Sequence, residues 1–344
     1  MVASHNESDS PHVLLSLIQS GAAAQLVASA ARLGVADALG DGPYTAKEIA
    51  ERVGVPASLL RRMLRALTSL GVVKQLDKER FALTSAGSFL RKDQPGSLQA
   101  FAIVNSHGAL YRAFSEIDYS FKTGKPSFDE AVGTSFFDYF RQPGPAEIYN
   151  DAMASYTHAI ALAVAATYDF SEARSVVDVG GNNGILTAAI LNANPHLTGT
   201  IFDLAGGIVG AADTLKRHNL ERRCNIATGD FFKAVPEGGD VYMLKSIIHD
   251  WNDEASIAIL KSCRRAMPAH GKVLLIESLL PTVSDSSLKS RHEFITDIVM
   301  LLTSGGQERD VDEFDAILGP AGLKRSAVIP APPSGHCIVE AVPA

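Results

Sequence analysis

Ser175-Val-Val-Asp-Val-Gly-Gly-Asn-Asn-Gly184 reads as a buried parallel strand running straight into a glycine-rich turn. Val176, Val177 and Val179 carry the strand, Gly180, Gly181 and Gly184 the turn, and the apolar run Ile185 to Leu191 the helix that follows. That is the first βα unit of a doubly wound sheet. A second apolar run, Gly199-Thr-Ile-Phe-Asp203, closes on a carboxylate placed to reach both ribose hydroxyls of a bound nucleoside. A dinucleotide site wants Gly-x-Gly-x-x-Gly so that its pyrophosphate can sit on the helix N-terminus. The spacing Gly180-Gly-Asn-Asn-Gly184 fits a nucleoside cofactor lacking a pyrophosphate.

Outward from this unit, strand and helix signals alternate toward the C-terminus, with strands near 175–179, 199–203, 224–228, 240–245 and 272–277. Two further strands, near 326–330 and 336–340, flank Pro330-Ala-Pro-Pro333 and predict a terminal hairpin. Ligands of open α/β sheets bind beyond the carboxyl ends of the strands, so the chemistry should sit there. After the third strand comes Thr228-Gly-Asp-Phe-Phe232, where Asp230 can accept from an adenine amino group and Phe231 can stack on the ring. After the fourth comes Lys245-Ser-Ile-Ile-His-Asp-Trp251, which brings His249, the Asp250 carboxylate and the chain's one tryptophan to the crevice edge. Glu277 closes the fifth strand, where a buried carboxylate wants a partner. Glu308, beside Arg309 in a Gly-rich turn, reads either as a partner of the histidine or as half of an exposed ion pair.

The N-terminal text has a different grammar. From Val13 to about Leu39 it is Ala- and Leu-rich at helical period, which suits a helix buried either in its own subunit or in an oligomer interface. Thr45-Ala-Lys-Glu48 is a capping-box pattern that opens a short helix. The helix predicted over Ala57 to Leu70 would bury Leu59, Leu60, Met63, Leu64, Leu67 and Leu70 and turn Arg61, Arg62 and Arg65 outward. Val72 to Leu76 and Arg80 to Thr84 then form a hairpin, completing the order of a winged helix. Its arginines read as a DNA-binding face or as the solvated side of a dimerisation domain. A net charge of -7 with no second basic cluster favours the second reading. Residues 1–100 are thus expected to form a winged-helix-like dimerisation domain and 101–344 the cofactor-binding domain, with 101–167 a helical connecting and substrate-lining region. Cys224, Cys263 and Cys337 show neither disulfide-framework nor zinc spacing. Met1 to Ser10 lacks a basic n-region and no apolar run is long enough to span a bilayer, so a cytoplasmic protein is expected, without nucleic-acid or membrane partners.

With Asp178-Val-Gly-Gly-Asn-Asn-Gly184, Gly229-Asp-Phe-Phe232, His249-Asp-Trp251 and Gly305-Gly-Gln-Glu-Arg309 in order, the chain resembles the S-adenosylmethionine-dependent O-methyltransferases of the plant caffeate and bacterial antibiotic type. The likeness runs over almost the whole length and implies a Rossmann-like α/β methyltransferase domain, an N-terminal dimerisation domain and a homodimer. It also implies S-adenosyl-L-methionine as cofactor, S-adenosyl-L-homocysteine as product, and a small aromatic hydroxyl compound as substrate. By that similarity Gly180, Asp203, Asp230, Phe231 and Lys245 bind the cofactor, Trp251 covers it, His249 is the general base, and Glu277 and Glu308 orient it. Asn105, Tyr149, Met153, Asp250, Val299 and Met300 correspond to positions that face the acceptor. Asn182 stands where relatives carry glycine, and asparagine tolerates left-handed backbone better than most residues.

The residue types suit that chemistry. A phenol with a pKa near about 10 is mostly neutral at pH 7, whereas a neutral imidazole with a reference value of about 6.5 can take its proton as attack proceeds. No Asp/Glu/His cluster in the sequence suggests an octahedral oxygen shell, so a metal-assisted reaction is not expected. Two other readings remain: a winged-helix regulator that senses a small molecule through a silent Rossmann domain, and a relative that hydroxylates or decarboxylates on the same scaffold.

Overall fold

A computed structural model describes residues 11–344; the decapeptide Met1 to Ser10 lies outside the described residues. The chain forms two compact units, the first running to Gly108 and taking in Glu147–Tyr156, the second comprising Ala109–Ala146 and Thr157–Ala344.

In the first unit, the single helix expected from Val13 to about Leu39 is divided into Pro11–Ile18, Ser20–Arg32 and Val35–Leu39. Gly34 adopts φ +67°, in the left-handed region that glycine enters without penalty, and it separates the last two pieces. The first two meet at 48°, and no single helix among the described residues is long and apolar enough to cross a membrane. The capping box forms: Thr45 Oγ1 accepts from Glu48 N at 3.3 Å and Glu48 Oε2 from Thr45 N at 2.7 Å, opening helix Ala46–Val53. Helix Ala57–Ser69 packs Leu60, Leu64 and Leu67 against Leu39, Ile49 and Phe81. Leu59 and Leu70, expected inside, are exposed, because the buried stripe repeats every three to four residues and leaves both off its face. Arg61, Arg62 and Arg65 do face solvent. Strands β1 (Tyr44–Thr45), β2 (Val73–Gln75) and β3 (Arg80–Leu83) pair antiparallel in the order β1-β3-β2, and this is the wing.

The second unit is built on β4 (Ser175–Val179), β5 (Thr198–Asp203), β6 (Cys224–Thr228), β7 (Val241–Lys245), β8 (Lys272–Glu277), β9 (Leu323–Ala331) and β10 (His336–Pro343). They form one sheet in the order β6-β5-β4-β7-β8-β10-β9. The first five are parallel, and β10 runs antiparallel between β8 and β9. The terminal hairpin is therefore as expected, only longer, with Cys337 opposite Glu277. Near-continuous apolar residues in β4, β7 and β8 reflect strands covered on both faces, and Tyr242, Leu244, Val273 and Leu275 form the core with Ile259, Leu260 and Phe314. The strand order reverses between β4 and β7, which opens a crevice at the carboxyl ends of the sheet's central strands.

Candidate active site

The turn after β4 is shaped by backbone that side chains would obstruct. Gly180 and Gly184 take φ +74° and +77°, and a Cβ on either would lie 2.3 and 2.4 Å from Ile247 Cδ1 and Ile201 Cδ1. Asn182 takes φ +48°, the left-handed conformation its side chain tolerates, and its Oδ1 accepts from Asn183 N at 2.7 Å. Asn182 N donates to Asp203 Oδ2 at 3.0 Å and Leu204 N to Oδ1 at 2.6 Å, so the carboxylate at the end of β5 fastens the glycine turn to its own loop. A Cβ on Gly207 would fall 2.4 Å from Asp203 Oδ1, so the next loop also closes on this group. Burial pushes the Asp203 carboxyl above its ordinary range. Beneath the turn, Asp178 accepts from Thr187 Oγ1 at 2.6 Å, and burial pushes it up to about 6.

Beyond β6, Asp230 Oδ1 accepts from Phe232 N at 3.0 Å and Oδ2 lies 3.5 Å from Lys233. Phe231 meets Trp251 edge to face at 6.1 Å, and Phe232 does so at 4.8 Å. A third ring joins them that the sequence reading passes over. Phe137 stacks on Trp251 with centroids 5.9 Å apart and planes 22° apart, delivered by the short helix Phe136–Tyr139 that Ser135 caps. Arg141 lies over Phe137 at 6.0 Å, and its charge favours the ionised form of Asp203. The signal for this was the aromatic run Phe136-Phe-Asp-Tyr-Phe140, read only as connecting helix. Lys245 ends β7 half-buried; burial lowers its ammonium, while the charges of Glu277, Asp178 and Asp250 favour it.

His249 stands on the single helical turn Ile248–Asp250 after β7. Its Nδ1 is 2.8 Å from Glu308 Oε1 and 3.8 Å from Glu277 Oε2, and Asp250 Oδ1 lies 3.7 Å from Nε2. Glu277 Oε1 accepts from Ile247 N at 3.1 Å and Ile248 N at 2.9 Å, which pins the turn to the end of β8. The second oxygens of Glu277 and Glu308 are buried and make no hydrogen bond. Burial pushes Glu277 up to about 7 and Asp250 up to about 6. Burial also disfavours the imidazolium of His249, but Glu277, Asp250 and the Glu308 hydrogen bond outweigh it and push the imidazole up to about 10. Three carboxylates around one ring favour its charged form, the surroundings that stabilise an imidazolium once formed.

The donors of His249, Glu277 and Glu308 all lie within 4.8 Å of one another, a spacing that invites a metal ion. The chemistry of the closest pair fits a proton better. Ligands about 2.0–2.2 Å from a tetrahedral ion stand about 3.4 Å apart, whereas 2.8 Å is a charge-assisted hydrogen bond.

The alternative of an exposed Glu308–Arg309 pair is also corrected. Both residues are buried, at 3% and 1% exposure, and Arg309 pairs with Asp253 at 2.8 Å. Gly306 lets this turn approach, since a Cβ there would sit 2.0 Å from His249 O. His336, at the start of β10, is a further buried histidine, one that no motif marks out. Burial pushes it down to about 4, and Lys245 and His249 act in the same direction. Of the acceptor-facing candidates, Val299 and Met300 lie half-buried on helix Leu288–Thr303 and Asp250 beside His249, all in the second unit. Asn105 ends helix Gln99–Asn105 with Nδ2 donating to Phe101 O at 2.9 Å, and Tyr149 and Met153 lie on helix Pro145–Thr167; these three belong to the first unit.

Residues 114–324 match the O-methyltransferase domain family and residues 15–93 the O-methyltransferase dimerisation domain. The chain is 38% identical over 333 residues to a phenazine O-methyltransferase, PhzM, of Lysobacter antibioticus, covering 96% of each. It is 38% identical to the O-demethylpuromycin-O-methyltransferase of Streptomyces alboniger, over 96% of this chain and 88% of that one. The crystal structure of NcsB1, an O-methyltransferase from neocarzinostatin biosynthesis, in complex with S-adenosylmethionine and 2-hydroxy-5-methyl naphthoic acid, superposes with a TM-score of 0.77 at 32% identity. That match covers 94% of this chain and 96% of the other.

Proposed function

The chain belongs to the S-adenosylmethionine-dependent O-methyltransferases, and we propose that it methylates a phenolic hydroxyl of a small planar aromatic compound with His249 as the general base. The observation that carries this reading is the imidazole held at Nδ1 by Glu308, which leaves Nε2 to meet the acceptor. A phenazine O-methyltransferase among the relatives, and a neighbour crystallised with a hydroxynaphthoic acid, support a flat hydroxylated ring system.

The crevice residues fit the cofactor: a left-handed turn that a Cβ would fill, the Asp203 carboxylate at the end of β5, and the aromatic group around Trp251. Gly180, Asp203, Asp230, Phe231, Lys245 and Trp251 would hold it. Bound S-adenosylmethionine supplies a methyl group on a positively charged sulfur, and that charge disfavours a second cation in the same crevice. His249 acts in its neutral form, with Glu308 at Nδ1 and Glu277 beside it fixing the orientation of the ring. Nε2 accepts the phenolic proton as the oxygen attacks, and Glu308 stabilises the imidazolium that results. The protein's other task is to hold oxygen and methyl in line.

Glu308→Gln tests this assignment through its pH profile. A carboxylate that stabilises imidazolium raises the imidazole's pKa, so removing it makes the neutral base available at lower pH. The acid limb of kcat is expected to shift to lower pH while the plateau falls about tenfold or more; an unmoved limb contradicts the pairing.

We also propose a homodimer through the first unit. Helix Pro11–Ile18 buries none of its residues within its own chain, leaving Leu14 and Ile18 62% and 70% exposed at the start of the segment matched as a dimerisation domain. Leu14→Asp with Ile18→Asp is expected to shift the protein toward monomer in light scattering; an unchanged dimer mass removes this helix from the interface.

Substrate class is tested with methyl-labelled S-adenosylmethionine and a panel of flat phenols and aromatic amines, mapping the labelled atom. Label on a phenolic oxygen is expected. Label on nitrogen, or an acceptor that loses carbon dioxide or gains oxygen without methyl, overturns the assignment. A silent sensor would transfer nothing.

A further inference from the structure

We infer that Arg309 is a positioning residue for the base, gripping the backbone on both sides of His249 so that the imidazole stays against Glu308. Its side chain is fully buried. Nη1 donates to Ile248 O at 3.1 Å and Nη2 to Trp251 O at 2.9 Å, and these two carbonyls bracket His249 and Asp250. The guanidinium is itself anchored: Nε and Nη2 donate to Asp253 Oδ1 at 3.2 and 2.8 Å, and Gln307 Nε2 reaches the same oxygen at 2.9 Å. Consecutive residues thus divide the work. Glu308 holds the ring and Arg309 holds the turn that carries it.

The same segment is tied to the strand that ends in Glu277, because Leu280 N donates to Arg309 O at 3.1 Å and Leu279 bridges to Arg309. On the other side Gly306 lies against His249 O and Asp250. An apolar side chain of similar volume would fill the space without desolvating a charge. Only a planar fork of five donors satisfies two carbonyls and a carboxylate at once, and a lysine ammonium does not reproduce it.

This inference rests on His249 being the base, and its test also reads the ring directly. The groups facing the imidazole are Glu308 from the Gly-rich turn, Glu277 from β8 and Asp250 from its own turn, with the charge of His249 also felt by His336 on β10, and Lys245 of β7 near Glu277 and Asp250. Arg309→Lys keeps the charge and loses the fork. It is expected to lower kcat by about 10- to 100-fold with cofactor affinity retained, as a displacement of about an ångström at a reacting group does. As the ring drifts from its carboxylates, the acid limb of kcat and the His249 titration in ¹⁵N-histidine-labelled protein both move to lower pH. That is the direction expected of Glu308→Gln. Asp253→Asn is the milder variant, since this carboxylate is 60% exposed, and should give a smaller shift of the same sign even if Arg309→Lys does not fold. Variants with a lowered Tm but unmoved acid limb and histidine titration overturn the inference and leave Arg309 a purely structural group. If His249→Ala proves silent, the base assignment fails, while the NMR titration still reports whether Arg309 holds the ring.

Discussion

His249→Ala is expected to lose about 10²- to 10⁴-fold in turnover while still binding S-adenosylmethionine, because general base catalysis contributes about that range. The loss should fall on kcat, not on the KM of either substrate. His249 sits on the turn after β7 and not on the glycine turn after β4. The substitution also strands Glu277 and Glu308, two buried carboxylates whose second oxygens already lack partners. Glu277 should then take up a proton more readily, since the imidazolium that favoured its charged form is gone. Isothermal titration with the cofactor, followed by single-turnover assay, separates these effects. Full turnover with retained binding would remove His249 from the reaction.

Asp203→Ala is expected to weaken cofactor binding by about 10- to 100-fold, since a hydrogen bond to a charged group is worth about 1.5–3 kcal/mol and about 1.4 kcal/mol is tenfold. Asp203 accepts from Asn182 N and Leu204 N, so the alanine would remove the ribose acceptor and also release the left-handed turn it fastens. Its signature is the reverse of the first variant's: KM for the cofactor rises and kcat at saturation changes little. Calorimetric titration checks it, with Asp203→Asn separating charge from shape. An unaltered Kd in both variants would place the ribose elsewhere.

Much of the second unit could be read in advance because its strands are buried on both faces, and runs such as Val176-Val-Asp-Val179 have few other structural meanings. The glycine turn, Asp203, the His249 turn and Glu277 were legible for a related reason: each follows directly on such a strand, where the fold dictates a crevice. What escaped was set by contacts distant in sequence. Arg309 looked like a surface partner of Glu308 because adjacency suggested a pair, whereas the guanidinium turns to Asp253 and the carbonyls of residues 248 and 251. Phe137 is 114 positions from the Trp251 ring it stacks on. The full set of carboxylates around His249 comes together only in the folded chain, since Glu277 and Glu308 lie 28 and 59 positions from it in sequence. In the first unit, Leu59 and Leu70 were assigned to the core by residue type, although the helical stripe passes them by.

The central claim, that His249 takes the acceptor's proton, is tested most directly by a series of flat phenols of falling pKa. It would run from about 10 to below the assay pH, with single-turnover rates compared between the wild type and His249→Ala at saturating cofactor. A base is needed only while the phenol holds its proton. The account predicts a deficit that is large for the weakest acids and shrinks toward none as the acceptor ionises by itself. A deficit that stays constant across the series would contradict it, making His249 a residue that shapes the site without moving the proton.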